Sequence, residues 1–362
     1  MKVAVSQRPR GIALIIVMVA VISLSILAGI FAYSMKVEGR LAMNTNNDEE
    51  MEWMGRSGME VAKYVLGLQL GINAEPYDSL NQTWAGGPGG LAISNSPLAS
   101  FSMKNIPLGS GQVTVDKIID LERRANINAA NDVMLQQALI EMGVDAGEYP
   151  AIVNSILDWT DPDDSERIQG AESDYYQGGE PPYFPKNGPI DDLSELLLVK
   201  GITPDLYWGP SSTNYVPMHA RQDANSRLGF QADTPVYPVG FVDLFTPLSS
   251  GRINVNTASA AVLQLIPGVD EQAANDIIRQ RAGMDGADGT DDDVPFRNVG
   301  ELINAVPNPQ AVQQIARFCD VHSRTFEVHV SASVGNYTRR FVGVIVRNSP
   351  RDLQLVSFHA VE

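Results

Sequence analysis

The chain has 362 residues, of which 44% are hydrophobic and 31 are glycine, so it is long enough for two or three domains with cores of their own and is not a disordered polymer. Its formal charge of -17 at pH 7 repels phosphate backbones and suits metal cations or basic partners. A single cysteine, Cys319, excludes any disulfide within the chain, and with His322 it supplies only half of a zinc spacing, so a buried thiol is the better reading.

In chain order, Lys2, Arg8 and Arg10 come first, followed by Gly11 and an uncharged apolar run from Ile12 to Tyr33. As a helix this run spans about 33 Å, which matches the ~30 Å hydrocarbon core of a bilayer and exceeds the apolar region of a secretory signal, about 7 to 15 residues. The leading basic residues favour a cytoplasmic N-terminus, which places the bulk of the chain outside the cytoplasm. The segment RPRG followed by IALIIVMVAVISLSIL resembles a type IV prepilin signal. That resemblance implies cleavage after Gly11 by a prepilin peptidase, leaving Ile12 as the new N-terminus and the apolar helix as an anchor. An uncleaved single-span anchor fits the same stretch.

Beyond the apolar run, Leu41, Met51, Met54, Gly58, Val61, Val65 and Leu68 keep helical spacing to about Gly71, with Pro76 beyond. One continuous helix from Ile12 to about Leu70, or an anchor followed by a separate amphipathic helix, satisfies the pattern. Residues 81–100 read as loop. SGQVTVDKIIDLE reads as an approximate strand, with Val113, Val115 and Lys117 alternating against Thr114, Asp116 and Ile118. TFEVHVSASVG, YTRRFVGVIVRNS and LQLVSFHAVE read as three antiparallel strands with turns at Gly335-Asn336 and Asn348-Ser349-Pro350. The middle, Asn126 to Cys319, carries helical signals. The simplest architecture is an α+β domain with an α-helical domain inserted in it.

Within the insertion, NINAA at Asn126 to Ala130 recurs as NVNTA at Asn254 to Ala258, and LSELL at Leu193 to Leu197 recurs as VGELI at Val299 to Ile303. Two related helical units account for this, and so do shared capping preferences. In the second unit Asn256 or Thr257 is expected to cap a helix that runs to Leu265, with a turn at Pro267-Gly268 and a second helix from about Asp270. This resembles a helix-hairpin-helix module, many of which bind DNA. Asp270 and Glu271 stand where a phosphate would meet the helix N-terminus, so structural packing is the better reading.

LDWTDPDDSERIQGAESDYY, Leu157 to Tyr176, gathers seven acidic residues after an apolar helix. With Asp161 as first position, Asp163 is third, Ser165 fifth, Arg167 seventh through its carbonyl, and Glu172 twelfth, the ligand spacing of a calcium loop. Glu166 occupies the sixth position, where an EF-hand turn has glycine. A solvated acidic loop fits the same residues equally well. MDGADGTDDDVPF, Met284 to Phe296, is similarly acidic without a carboxylate placed for bidentate ligation, and reads as a flexible loop.

LDWTDPDDSERIQGAESDYY, then PYFPKNGPIDDLSELLLVKGI, then INVNTASAAVLQLI resemble the general secretion pathway protein K family, large minor pseudopilins of type II secretion, over nearly the whole chain. The resemblance implies a type IV pilin-like fold, a long N-terminal transmembrane helix plus antiparallel sheet, with an inserted helical domain of two helix-hairpin-helix or SAM-like units. On that basis residues 1–11 are a leader, 12–33 the transmembrane and 34–71 the periplasmic part of the first helix, and 72–125 loop and strands. Residues 126–320 are the insertion, with units at 126–200 and 253–320, and 321–362 the closing strands. It further implies calcium in the insertion, with Asp161, Asp163, Glu172 and Asp174 as ligands. Implied partners are minor pseudopilins I and J, then H, the major pseudopilin, the prepilin peptidase and the inner membrane, with no nucleic acid. Most pilins and pseudopilins hold a glutamate at the fifth place after the cleavage site; here that place is Ile16, which implies a position at the pseudopilus tip. No enzymatic motif appears, since His219, His322, His329 and His359 lack zincin spacing and neither G-x-S-x-G nor a phosphate loop is present. A membrane-anchored DNA-uptake protein and an anchored adhesin are the rival readings.

Overall fold

The computed structural model describes residues 11–89, 98, 101–214, 237–306 and 308–361. Its first element, α1, is a single helix from Gly11 to Leu70. The stretch Leu14–Gly39 has a mean hydropathy of 2.9 and none of it is covered by the rest of the chain, so it is long and apolar enough to cross a membrane. From Met51 onward one face of the same helix is buried through Met51, Met54, Met59, Ala62, Val65 and Leu66. The three- and four-residue spacing that suggested a helix is therefore the spacing of a face turned toward a sheet. Glycines let that face come close. A Cβ on Gly58 would sit 2.5 Å from a Val330 methyl, and one on Gly55 would sit 2.6 Å from the Phe341 ring.

The sheet has five strands: β1 (Ile106–Leu108), β2 (Gly111–Asp120), β7 (Thr325–Val334), β8 (Tyr337–Ser349) and β9 (Asp352–Val361), ordered β1-β2-β7-β8-β9. All neighbours are antiparallel, with Val115 opposite Val330, Val328 opposite Gly343 and Gly343 opposite Phe358. The expected alternation in β2 fails at one point. The register shifts between Val115 and Lys117, so Ile118 joins Val113 and Val115 on the buried face while Lys117 turns outward. A bulged residue changes which face the rest of the strand presents, and a strict period of two cannot anticipate it. The stretch expected as loop holds a 3-10 turn, Thr83–Ala85, whose buried Trp84 meets Phe326 edge-on at 5.3 Å between ring centres.

Between β2 and β7 lies the insertion, with a hydrophobic core separate from the one beneath α1. Its first unit opens with β3 (Ala125–Asn126), continues through α2 (Asp132–Met142), α3 (Tyr149–Thr160), α4 (Ser173–Gln177), a 3-10 helix at Leu193–Leu198, α5 (Pro204–Trp208) and α6 (Phe241–Leu244), and closes with β4 (Phe245–Thr246). The second opens with β5 (Ile253–Asn254), continues through α7 (Ala260–Gln264), α8 (Glu271–Arg281), a 3-10 helix at Val299–Asn304 and α9 (Pro309–Ile315), and closes with β6 (Cys319–Asp320). In each unit the first and last strands pair in parallel.

The asparagine repeat has a physical cause beyond capping. Asn126 accepts the Asn128 N–H at 2.9 Å, and Asn254 accepts the Asn256 N–H at 2.9 Å. Asn128 then exchanges two hydrogen bonds with the backbone of Ile190, 2.9 and 2.8 Å, and Asn256 exchanges two with the backbone of Phe296, both 2.9 Å. Each pair clips the start of a unit to the residue three places ahead of its 3-10 helix. The helix pairs also share a turn the sequence reading passed over: Gly143-Val144-Asp145 and Gly268-Val269-Asp270, with both glycines at positive φ (77° and 91°) and both valines buried. One expectation is corrected here. Ser259, not Asn256 or Thr257, caps α7, because Asn256 is engaged with Phe296 and Thr257 donates to Asp120 at 2.6 Å.

Where α1, the sheet and the insertion meet, polar groups are buried. Arg347 on β8, 2% exposed, donates to the Leu66 carbonyl at the end of α1, to the Ser323 carbonyl and to Asp78. Asp78 also accepts the Ser323 N–H; burial raises its carboxyl, but the Arg347 charge and its hydrogen bonds outweigh that and hold it below the usual carboxylate range. Asp120 accepts hydrogen bonds from Asn254, Thr257, Ser323 and the Glu122 backbone. Beside it Glu122 accepts the backbone N–H groups of Ser250 and Thr325. Burial first, and the Asp120 charge second, push the Glu122 carboxyl up to about 8. An acid whose pKa is raised by folding contributes most below its unfolded value of about 4.5 and loses that contribution as pH rises toward 8. Asp78 acts the other way, and only below the ordinary carboxylate range. The melting temperature should therefore fall from pH 5 to pH 8, and Glu122→Gln should flatten that slope whatever its effect on the absolute value; equal slopes in both proteins would contradict the protonated carboxyl.

Candidate metal centre

The acidic loop begins where α3 ends. Asp158, in the last turn of that helix, is fully buried, one turn beyond the buried Ser155. Its carboxylate organises the loop from inside. It accepts the backbone N–H of Arg167 at 3.2 Å and of Ala171 at 2.9 Å, and the Arg167 guanidinium at 2.7 Å. Gly170 is needed beside it, since a Cβ there would lie 1.9 Å from an Asp158 oxygen.

Folded this way, the loop brings Asp161, Asp163 and Glu172 together, with one oxygen of each within 4.8 Å of the others. Asp174 does not join them; it is exposed in the first turn of α4. The carbonyl of Arg167, at the seventh position, accepts the Gly170 N–H at 2.8 Å, while the Arg167 guanidinium bridges Asp158 and Asp161. Asp163 accepts the Ser165 N–H at 2.9 Å, and Asp164 the Ser173 N–H at 3.3 Å. These bonds leave several buried oxygens without any partner: Oδ1 of Asp161, both carboxylate oxygens of Glu172, and Oδ1 of Asn187. Asn187 reaches the loop from 24 residues away, donating its amide to the Asp163 carbonyl at 2.8 Å.

Unpartnered buried carboxylate oxygens are costly, and here they stand close together. Burial, followed by the charges of Asp158, Asp161, Asp164 and Asp163, pushes the Glu172 carboxyl up to about 7. An all-oxygen donor set of this kind suits a hard cation. Opposed oxygens around a calcium ion at about 2.4 Å lie about 4.8 Å apart, so the three side chains have the right span for one. The roles of two contributors escaped the sequence reading. Asp158 reads only as one of the seven acidic residues of the loop, with nothing to mark its organising role; Asn187 has no local pattern at all.

The second acidic loop occupies the same place in the second unit, after α8 and before the clipped Phe296, and is built differently. Asp292 accepts the N–H groups of Met284 and Asp285, Asp293 accepts that of Gly289, and Asp288 forms a bidentate pair with the buried Arg281. The stretch is a loop, as expected, and most of its carboxylates are engaged: Asp285, Asp292 and Asp293 by its own backbone and Asp288 by Arg281. Of the other sequence-singled residues, Ile16 is 62% exposed on the apolar half of α1, and the backbone of Gly11 and Ile12 begins that helix. Residues 1–10, the proposed leader, and His219 lie outside the described residues. His322 follows β6, and His329 and His359 lie on β7 and β9. Cys319 is buried, and that burial raises its thiol far above its ordinary value.

A family model described as type II secretion system protein K matches residues 114–208, the stretch that contains the acidic loop and its clip. The match takes in about a quarter of the chain, and over it these residues are similar to the type II secretion system protein K family. A putative type II secretion system protein K of Escherichia coli (strain K12) is 27% identical over 218 residues, 56% of this chain and 61% of that protein. The protein K of Aeromonas hydrophila is 26% identical over 214 residues, with the same coverage of 56% and 61%. The chain thus spans about three fifths of the length of these curated protein K relatives. Among solved structures, a chain of the GspK-GspI-GspJ complex from the enterotoxigenic Escherichia coli type 2 secretion system has the same fold, with a TM-score of 0.62 and 18% identity over 89% of this chain and 99% of that one.

The geometry makes a direct forecast. If the loop binds calcium, then for the full chain in detergent micelles calcium at 100 times its dissociation constant should add about 2.7 kcal/mol and raise the melting temperature by several degrees. Magnesium, which sheds water reluctantly and demands an octahedral shell, should give a smaller rise at matched ionic strength. Asp161→Ala with Glu172→Ala should abolish the calcium effect and Asp174→Asn should keep it. A rise that survives the double variant would leave the loop as ordinary acidic surface.

Proposed function

We propose that this chain is a non-enzymatic minor pseudopilin of a type II secretion system, held in the inner membrane by α1 with its bulk in the periplasm. In this reading it caps the pseudopilus tip with minor pseudopilins I and J, then H and the major pseudopilin, and starts assembly of the filament that exports folded proteins across the outer membrane. The observation that carries it is the dual character of one helix, whose first half is apolar and exposed over a membrane's thickness and whose second half is packed on an antiparallel sheet. The fold shared with a chain of the GspK-GspI-GspJ complex supports it. Calcium at Asp161, Asp163 and Glu172 would hold the first unit of the insertion in its assembled shape.

The rival reading, DNA binding through the α7–α8 hairpin, has little to support it. The Asp270 carboxylate takes up the Ala273 N–H at the start of α8, Glu271 follows it, and Arg281 is buried on Asp288. A phosphate would meet negative charge where it needs donors.

Processing follows from the same reading. A prepilin peptidase would cut after Gly11, because a small residue separates the basic leader from the helix. The mature protein should begin at Ile12 by mass spectrometry, and Gly11→Glu should remain uncut; a mass retaining Met1, or a cut beyond Tyr33, would sink this.

In this reading Ile16 supports a place at the tip of the filament. A lone charge in the bilayer interior costs at least ~2.5 to 3.5 kcal/mol, so the free amine of one subunit is worth pairing with a glutamate of its neighbour below. With isoleucine at this position the chain cannot neutralise the amine of a subunit above it, whereas its own Ile12 amine can be neutralised from below. The first place in a filament tolerates that lack, and a bulky insertion is easier to hold at an end than inside a packed shaft. Cysteine cross-linking or labelled electron microscopy of assembled filaments should find this chain at one end; labels spread along the shaft would refute the assignment.

A further inference from the structure

Asp174 stands outside the ligand group, and the space it lines is a cavity of about 580 Å³ beside α4, walled by Tyr175, Tyr176 and Tyr183 together with Asp174 and Glu180. Two of the three rings are fixed. Tyr176 is 1% exposed and its hydroxyl accepts the Lys200 N–H at 3.3 Å, while the Tyr183 hydroxyl donates to the Leu198 carbonyl at 2.7 Å. Their ring centres are 5.2 Å apart, and Trp159 packs edge-on against both from behind. Tyr175, half exposed, stands edge-on to Tyr176 at 5.2 Å. The wall is therefore built before any ligand arrives.

The chemistry of this wall selects for positive charge. Tyrosine faces attract cations through the ring quadrupole, and the structure already displays the effect: the Lys200 ammonium lies 4.8 Å from the centre of the Tyr175 ring while donating to the Gln169 and Gly170 carbonyls. Lys200 does not line the cavity. Asp174 and Glu180 are exposed at its edge and make no hydrogen bond or ion pair among the described residues, so both carboxylates remain available as counter-charges. A guanidinium stacks on aromatic faces and offers several donors to such carboxylates; an ammonium offers a compact charge with three. The net charge of -17 favours the approach of a basic group.

We propose that this cavity is a binding site for a basic side chain, guanidinium or ammonium, presented by a partner protein. The site requires no ion at Asp161, Asp163 and Glu172, and calcium is held constant throughout its test. The full chain in detergent micelles is prepared with 3-fluorotyrosine and titrated, by fluorine NMR, with end-blocked Gly-Arg-Gly, Gly-Lys-Gly and Gly-norleucine-Gly peptides. Phenylalanine variants assign the Tyr175 and Tyr183 resonances. Both should move with the arginine or lysine peptide at millimolar concentration, the tighter of the two naming the head group, and stay still with the norleucine peptide. Asp174→Asn with Glu180→Gln should weaken binding about fivefold or more, the loss of two partly exposed ion pairs, with the core Tyr77 and Tyr207 resonances unmoved to show an intact fold. Equal movement with norleucine, no movement with any peptide, or unchanged binding in the double variant would overturn the proposal.

Discussion

A buried arginine joins three parts of the chain that are far apart in sequence. Arg347 belongs to the sheet, caps a carbonyl at the end of α1 through Leu66, and pairs with Asp78 in the segment that leaves that helix. The Asp78 carbonyl in turn accepts the side-chain amide of Asn254, the residue that opens the second unit of the insertion. Removing one partner of a buried pair commonly costs 3–5 kcal/mol, because the charge left behind has no water to turn to. Here the remaining hydrogen bonds would also lose their anchor. The sheet and α1 could pack through apolar contacts alone; the position of the insertion relative to them is fixed by this polar junction.

The insertion is attached at the right place for such a junction. It leaves the sheet at Asp120, the last residue of β2, and returns at Thr325, the first of β7, two residues that sit near one another because β2 and β7 are paired neighbours. About two hundred residues can thus be added without disturbing the antiparallel ladder. Each unit closes on itself through a two-residue parallel bridge and an asparagine clip, so its ends stay together near the sheet. The large insertion that sets this chain apart from a bare helix-and-sheet domain is therefore a pair of closed modules rather than one long excursion.

Much of this was legible in the sequence, and the reasons are local. The apolar run and the face from Met51 to Leu68 announce helix in both stretches, though not that the two are continuous, and the period of two in the last forty residues announces three strands. The repeat was visible in its asparagines. What it could not reveal was their purpose, because an Asx turn and a backbone clip involve Ile190 and Phe296, which carry no sign of the contact. The bulge in β2, the two-residue bridges and the cap at Ser259 fall below the length at which periodicity carries information. In the acidic loop, carboxylate spacing grouped Asp161, Asp163 and Glu172, which the fold brings together, whereas Asp174 entered only through the family resemblance and stands exposed in the first turn of α4. Asp158 was counted without its role, and Asn187 was missed, because both roles depend on tertiary placement.

The two acidic loops occupy matching places in matching units and differ in how their charge is met. In the second, backbone N–H groups and Arg281 answer the carboxylates; in the first, oxygens of Asp161 and Glu172 remain unanswered. The chain therefore carries its own internal reference. Added salt acts on charge without regard to geometry and should loosen or tighten both loops alike, whereas an agent that works by coordination should act on one and leave its twin unmoved. The duplication turns a comparison that usually requires two proteins into one made between two halves of a single insertion.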